Sequence, residues 1–238
     1  MIVKPESPIT RIPRDMPPKI ILLLEGIRYS ANMALVSYGR LRATLNAISL
    51  GDKRIDLNYG AIADAWNVLD STHRFVEILK RFEIKGDNGI ISDLEKVTRL
   101  RNTFHHLDER IEEHFIEAHF PLFGILNWVY YDPDVSKTEF KICTLIPGVQ
   151  QGSKKIPQDN PLGKTFRPPI DSMTLTSVTR TKTEPPIKID MVELIQNLEK
   201  AVATIEENLT RIYAVSKNKE DIFPQNFTMM MLMKLDDK

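Results

Sequence analysis

Four long stretches of this chain repeat their apolar residues at spacings of three and four, the period of one buried helical stripe. The first runs over about residues 19–50 and carries Ile20, Leu24, Ile27, Ala31, Ala34, Tyr38, Leu41, Leu45 and Ile48, with Gly51 and Asp52 to stop it. A second helix is predicted over about 58–82, with Ile62, Trp66, Leu69, Val76 and Leu79 on its apolar face. A third covers 93–115, where Leu94, Val97, Leu100, Phe104, Leu107, Ile111 and Phe115 form the stripe. Asp93 opens it in a capping position and Pro121 follows its end. The fourth spans about 189–215, with Met191, Leu194, Leu198, Val202, Ile205, Leu209 and Ile212 in register and Asp190 as N-cap.

Between the third and fourth helices the pattern changes. Residues 123–131, 139–147 and 172–180 are rich in β-branched and aromatic side chains and are separated by turn-formers, so they read as strands. A long polar loop joins the second of them to the third. Its Leu162-Gly163-Lys164-Thr165 mimics the end of a phosphate-binding loop, but Gln158 stands where the pattern needs glycine, and a nucleotide triphosphate site is rejected. Prolines at 5, 8, 13, 17 and 18 predict an extended arm over residues 1–18, either loose or wrapped on a partner subunit. The expected architecture is α+β and mainly α: a four-helix bundle with a small β insertion before the last helix. Its parts are the arm, three bundle helices over 19–120, the insertion over 121–188, the fourth helix over 189–216 and a tail over 217–238. The Met-rich tail reads either as an added strand or as a docking peptide.

Composition narrows the class. The chain has 238 residues, 42% of them apolar and 27% charged, as in an ordinary soluble globular protein. No uninterrupted apolar run approaches the ~20 residues of a membrane span, and the proline-rich start does not resemble a signal peptide. Cys143 is the single cysteine, which excludes a disulfide framework and a cysteine zinc site and points to a reducing, cytoplasmic setting. Net charge is zero, but residues 137–188 hold nine basic against four acidic side chains. Such a local excess permits a nucleic-acid partner without requiring one.

The chemistry concentrates on the polar side of the third helix. Arg101-Asn102-Thr103-Phe104-His105-His106 reads R-N-x-x-x-H on an amphipathic helix. This resembles the Rx4-6H motif of the HEPN superfamily, whose pattern also favours a polar residue directly after the arginine. The stretches AWNVLDSTHRF and RLRNTFHHLDERI together resemble uncharacterised bacterial HEPN-like sequences. The resemblance covers the bundle but not the arm, the insertion or the tail. It implies a homodimer with the motif helices near the two-fold axis, sharing one composite cleft. It also implies a metal-independent endoribonuclease of toxin or defence type, without a cofactor, with RNA as substrate and an antitoxin or other regulatory protein as partner. The nucleotidyltransferase that accompanies some relatives is not fused here, since Gly152-Ser153 lacks the paired aspartates.

On this reading His106 is general acid or base, Arg101 clamps the phosphate and Asn102 positions substrate or histidine. Arg101 and His106 stand about 140° apart on a straight helix, and His105 only about 40° from Arg101. A dimer cleft or a helix distortion would bring the first pair together. Asp70 and His73 are supporting candidates. His73 falls on the apolar face of the second helix, so it is either a buried histidine held by a neighbouring carboxylate or, with Asp70, a neighbour that orients Arg101. A catalytically inactive bundle that binds nucleic acid or protein is the alternative. A metal-carboxylate site is set aside because no glutamate lies three residues before His105, His106, His114 or His119.

Overall fold

The computed structural model describes residues 1–82, 94, 96–102, 111, 120–131, 140–148, 170–177, 186–214 and 222. Helix α1 spans Pro18–Ser49 and begins with proline in its first turn, where no intrahelical N–H bond is lost. It ends in paired bonds from Gly51 N–H to the Ile48 carbonyl and from Asp52 N–H to the Ala47 carbonyl. Gly51 sits at φ +95°, the left-handed conformation such a C-terminal cap requires. Helix α2, Ile55–Leu79, turns straight back along α1. Arg40 of α1 donates to Asp64 of α2, and a Cβ on Gly26 would meet Ile78 Cδ1 at 2.6 Å. Both pairs have residue numbers summing to 104, the register of one antiparallel helix pair.

The predicted faces of α1 and α2 are buried. Leu24, Ile27, Leu41 and Leu45 meet Ala65, Leu69, Phe75 and Val76 in one core. Helix α1 also carries a second apolar face, on which Leu22, Tyr29, Met33 and Val36 are exposed. Apolar residues on both sides give it a mean hydropathy of 1.3 over an 18-residue window, long and apolar enough by composition to cross a membrane. A search for uninterrupted apolar runs misses this, because Glu25 and Arg28 break the run while pairing with each other at 2.6 Å.

The third helix, α3, is described at residues 94 and 96–102. Leu94, Val97 and Leu100 are fully buried, as their spacing predicts. Ile111, assigned to the same stripe, is instead 42% exposed. Phe104, Leu107 and Phe115 lie outside the described residues.

Four strands form an antiparallel sheet in the order β2-β1-β3-β4: β1 Ile125–Tyr131, β2 Phe140–Leu145, β3 Ile170–Ser177 and β4 Ile187–Asp190. Strand β4 corrects the sequence reading, which ran the last helix back to Ile189. Helix α4 starts at Met191 and ends at Ala214. The Asp190 carboxylate accepts from the Val192 and Glu193 backbone N–H groups, the expected N-cap. The pairing of β1 with β3 shifts between Asn127 and Val129, where Ser172 takes φ +48°. This bulge changes the parity of β3, so that Ile170 and Leu175, five residues apart, both join the core.

The sheet packs directly on the helices. Leu126, Trp128, Tyr130, Met173 and Leu175 belong to the same continuous core as the helices. Trp66 Nε1 donates to the Phe123 carbonyl at 3.1 Å, and Trp128 Nε1 donates to Ser49 Oγ at 2.8 Å. The molecule is therefore α+β with sheet and helices in one core.

The N-terminal residues also depart from expectation. They form successive turns rather than an extended arm, and they pack on their own chain. Val3, Ile9 and Ile12 are buried to 1% exposure or less. The backbone of Val3 exchanges two bonds with the Asn32 side chain of α1, at 3.1 and 3.2 Å. Pro13 forms an isolated antiparallel bridge with Ile222, while the rest of the Met-rich tail lies outside the described residues. Ile9→Ala is accordingly expected to cost about 2–5 kcal/mol, as for a core isoleucine, measured as a shift in denaturant midpoint. A loose arm would lose under ~0.5 kcal/mol.

Candidate functional site

Helices α2 and α3 run antiparallel, and two side-chain contacts fix their register. Arg101 Nε lies 3.4 Å from Asp70 Oδ1, and His73 Nδ1 lies 3.1 Å from Thr98 Oγ1. One turn forward on α2 is one turn back on α3. A third residue joins on the α2 side, where Arg74 reaches back one turn to Asp70 Oδ2 at 2.6 Å. One carboxylate thus faces two guanidinium groups. Asp70 and Arg101 are partly covered, with side-chain exposures of 25% and 27%, whereas Arg74 is 59% exposed and forms the outer edge.

His73 differs from the expectation that a carboxylate holds it, whereas Asp70, the other residue named as a neighbour of Arg101, does contact that arginine. It is half-buried, it bonds to the Thr98 hydroxyl, and the Asp70 carboxylate goes to the two arginines. Burial pushes its pKa below the ordinary histidine value, and the nearby Arg101 charge pushes in the same direction. Glu77 and Asp70 act against this shift, while Lys80 adds to it. The folded protein therefore favours the neutral ring. Protons bind the unfolded chain more readily, so His73 contributes stability at neutral pH that is lost as pH falls below about 6.5 and through the lower folded pKa. Melting temperature is expected to drop across that window more in the wild type than in His73→Gln, whose amide can still meet Thr98. Parallel curves for the two proteins would contradict it.

Of the motif residues, Arg101 is placed in this cluster by Asp70, and Asn102 is exposed beside it. His105 and His106 lie outside the described residues, as do His114 and His119. Among the described residues no group of three or more histidine, cysteine, aspartate or glutamate side chains is arranged to hold a metal ion. Sequence reading brought forward Asp70 and His73 but passed over Arg74 and Thr98. The Asp70–Arg74 pair had a visible signal, an acid and a base four residues apart on one helix. Thr98 had none, because nothing in a single sequence reports which turn of α3 lies against His73.

Chemically, the cluster offers hydrogen-bond donors of positive charge beside an imidazole whose neutral form is favoured. Arginine presents five N–H donors in a planar fork suited to phosphate or carboxylate. The Arg101–Asp70 contact uses its Nε. Comparisons with protein-family models, with curated proteins and with solved structures find no match to this chain.

Proposed function

We propose that this protein is a HEPN-like, metal-independent endoribonuclease whose motif arginine is Arg101. The observation that carries this reading is the hold of Asp70 on Arg101 from the neighbouring helix, which fixes the guanidinium of the R-N-x-x-x-H motif at a partly covered surface. A phosphate clamp needs such orientation before substrate arrives, because donors already in place need no reorganisation in the transition state.

RNA supplies its own nucleophile. A general base removes the 2′-hydroxyl proton, the 2′-oxygen attacks phosphorus, and the 5′-oxygen leaves with a proton from a general acid. The products are a 2′,3′-cyclic phosphate and a 5′-hydroxyl. His106 acts as acid or base, Arg101 steadies the equatorial phosphate oxygens, and Asn102 positions substrate. A homodimer with the two motif helices adjacent provides the convergence that one straight helix lacks. The test is incubation of the purified protein with a structured RNA pool. Cleavage is expected to persist in EDTA and to leave cyclic-phosphate ends. Activity abolished by chelation and restored by Mn2+ or Zn2+ would contradict it.

A second reading is a bundle that binds nucleic acid or protein without cutting. It is favoured by the same Asp70–Arg101 contact, since a purely structural bridge between two helices has that form too. Wild-type protein that binds RNA but never cleaves it would establish this alternative.

A further inference from the structure

We propose that Arg74 and Arg101, bridged by Asp70, form a paired-guanidinium seat for a backbone phosphate of single-stranded RNA, with Arg74 as its outer, affinity-setting member. The inference rests on the reading of Arg101 as the phosphate-facing residue, and it adds a residue that the motif does not contain.

Charge is the first argument. Asp70 is shared by two arginines, so the three side chains carry two positive charges against one negative. One turn further along α2, Lys80 and Glu77 pair at 3.1 Å and cancel. Among the described residues around His73, the balance is therefore one positive charge. A phosphodiester carries one negative charge, so its arrival gives a neutral arginine–carboxylate–arginine–phosphate set with no isolated ion.

Geometry is the second. Asp70 engages Arg74 through Oδ2 and Arg101 through Oδ1, so the carboxylate holds one guanidinium on each side. Each arginine has five N–H donors, and a carboxylate with two oxygens cannot use them all. The exposures grade outward, from Asp70 and Arg101 at 25% and 27% to Arg74 at 59%. An anion approaching from solvent meets the more exposed Arg74 before the more covered Arg101. Neighbouring His73 is kept neutral by burial and by Arg101, so it adds no competing charge and can accept or donate a hydrogen bond at the margin.

This grading divides the labour. Arg74 contacts the phosphate equally in ground and transition states and acts on KM. Arg101, held from below, acts on the transition state and on kcat. Fluorescence anisotropy with a short labelled single-stranded RNA, repeated over a salt series, reads the first role without any need for cleavage. Arg74→Ala is expected to weaken binding roughly tenfold, as for loss of a charge-assisted hydrogen bond. It should also lower the slope of log affinity against log salt by about 0.7, the value for one lost contact on a single strand. Arg74→Lys restores the slope, because the charge returns, but only part of the affinity, because the fork does not. Arg54→Ala, at an exposed arginine paired with Asp52 at the far turn, is the control and changes neither quantity. Arg74 is largely exposed, and unchanged melting of each variant confirms that the fold is intact. An Arg74→Ala protein with wild-type affinity and slope overturns the seat whatever happens to cleavage. Wild-type protein that binds RNA without cutting it removes the nuclease reading but leaves the seat to be decided by Arg74→Ala. A wild-type protein that binds no RNA overturns both.

Discussion

Arg101→Ala is expected to lower RNA cleavage by on the order of a hundredfold or more, the contribution commonly made by groups that assist proton transfer and stabilise developing charge. The fold should survive. Asp70 keeps its 2.6 Å contact with Arg74 when Arg101 is removed, so no carboxylate is stranded. A partly exposed pair of this kind contributes only ~0–1 kcal/mol of stability. Arg101→Lys should not rescue, because an ammonium lacks the planar fork. His106→Ala should be as damaging as Arg101→Ala, and His105→Ala less so. Mixing the Arg101→Ala and His106→Ala proteins separates two forms of the site. If the two groups come from different protomers, the mixed dimer holds one intact pair and regains activity. If they come from one protomer, it stays inactive. Full cleavage by Arg101→Ala would remove the arginine from the mechanism, and activity in His106→Ala with none in His105→Ala would move the histidine role to His105.

Trp128→Ala is expected to cost about 3–5 kcal/mol, the usual range for an aromatic truncated in a core. Trp128 is 2% exposed on β1 and donates to Ser49 Oγ at the end of α1. Ser49 Oγ in turn donates to the Leu45 carbonyl at 2.8 Å. The indole is thus a tie between sheet and helices as well as a core side chain. The consequence is cooperative. Far-ultraviolet circular dichroism, which follows the helices, and tryptophan fluorescence from Trp66 should shift together to lower denaturant in the variant. If the helical transition stays in place while β signals alone are lost, the sheet is a separate unit and the single-core description fails.

Helix positions and faces were legible because each depends on local periodicity. The stripes of α1 and α2 fall on residues that are buried, and Asp190 caps α4 where predicted. The β content was legible as composition, but its place in the molecule was not. Strand β4, Ile187–Asp190, is short and leads directly into α4, so no turn signal separates it from the helix. That the sheet shares the core depends on contacts such as Trp66 to Phe123 and Trp128 to Ser49, which join residues 57 and 79 positions apart. Local pattern carries no information about such pairs. The site shows the same division. Arg101 and Asp70 could be named as candidate neighbours from motif and chemistry, but the contact of His73 with Thr98 depends on the antiparallel register of α2 and α3. Pro5 and Pro8 stand in turns, while Pro13 makes a single β-bridge and Pro18 opens α1. The inference to an extended arm failed because proline also favours turns, and because Val3, Ile9 and Ile12 gain more by burial than an exposed arm would leave them.

The bulge at Ser172 has a consequence for how the chain reaches this state. Strands β1 and β3 are neighbours in the sheet, but one ends at Tyr131 and the other begins at Ile170, so the pairing closes a long loop. Pairings of this kind are slow to form, and a smooth strand can settle in a wrong alignment that must be undone. A kink that fits its partner at one position works like the notch of a key. With β3 displaced by two residues along β1, the side-chain alternation would still match, but the extra residue would fall opposite Tyr130 or Leu126 and force a core side chain out. Errors of an even number of residues, which periodicity alone would tolerate, are therefore rejected during closure, and the strand locks only in the alignment that the finished molecule uses.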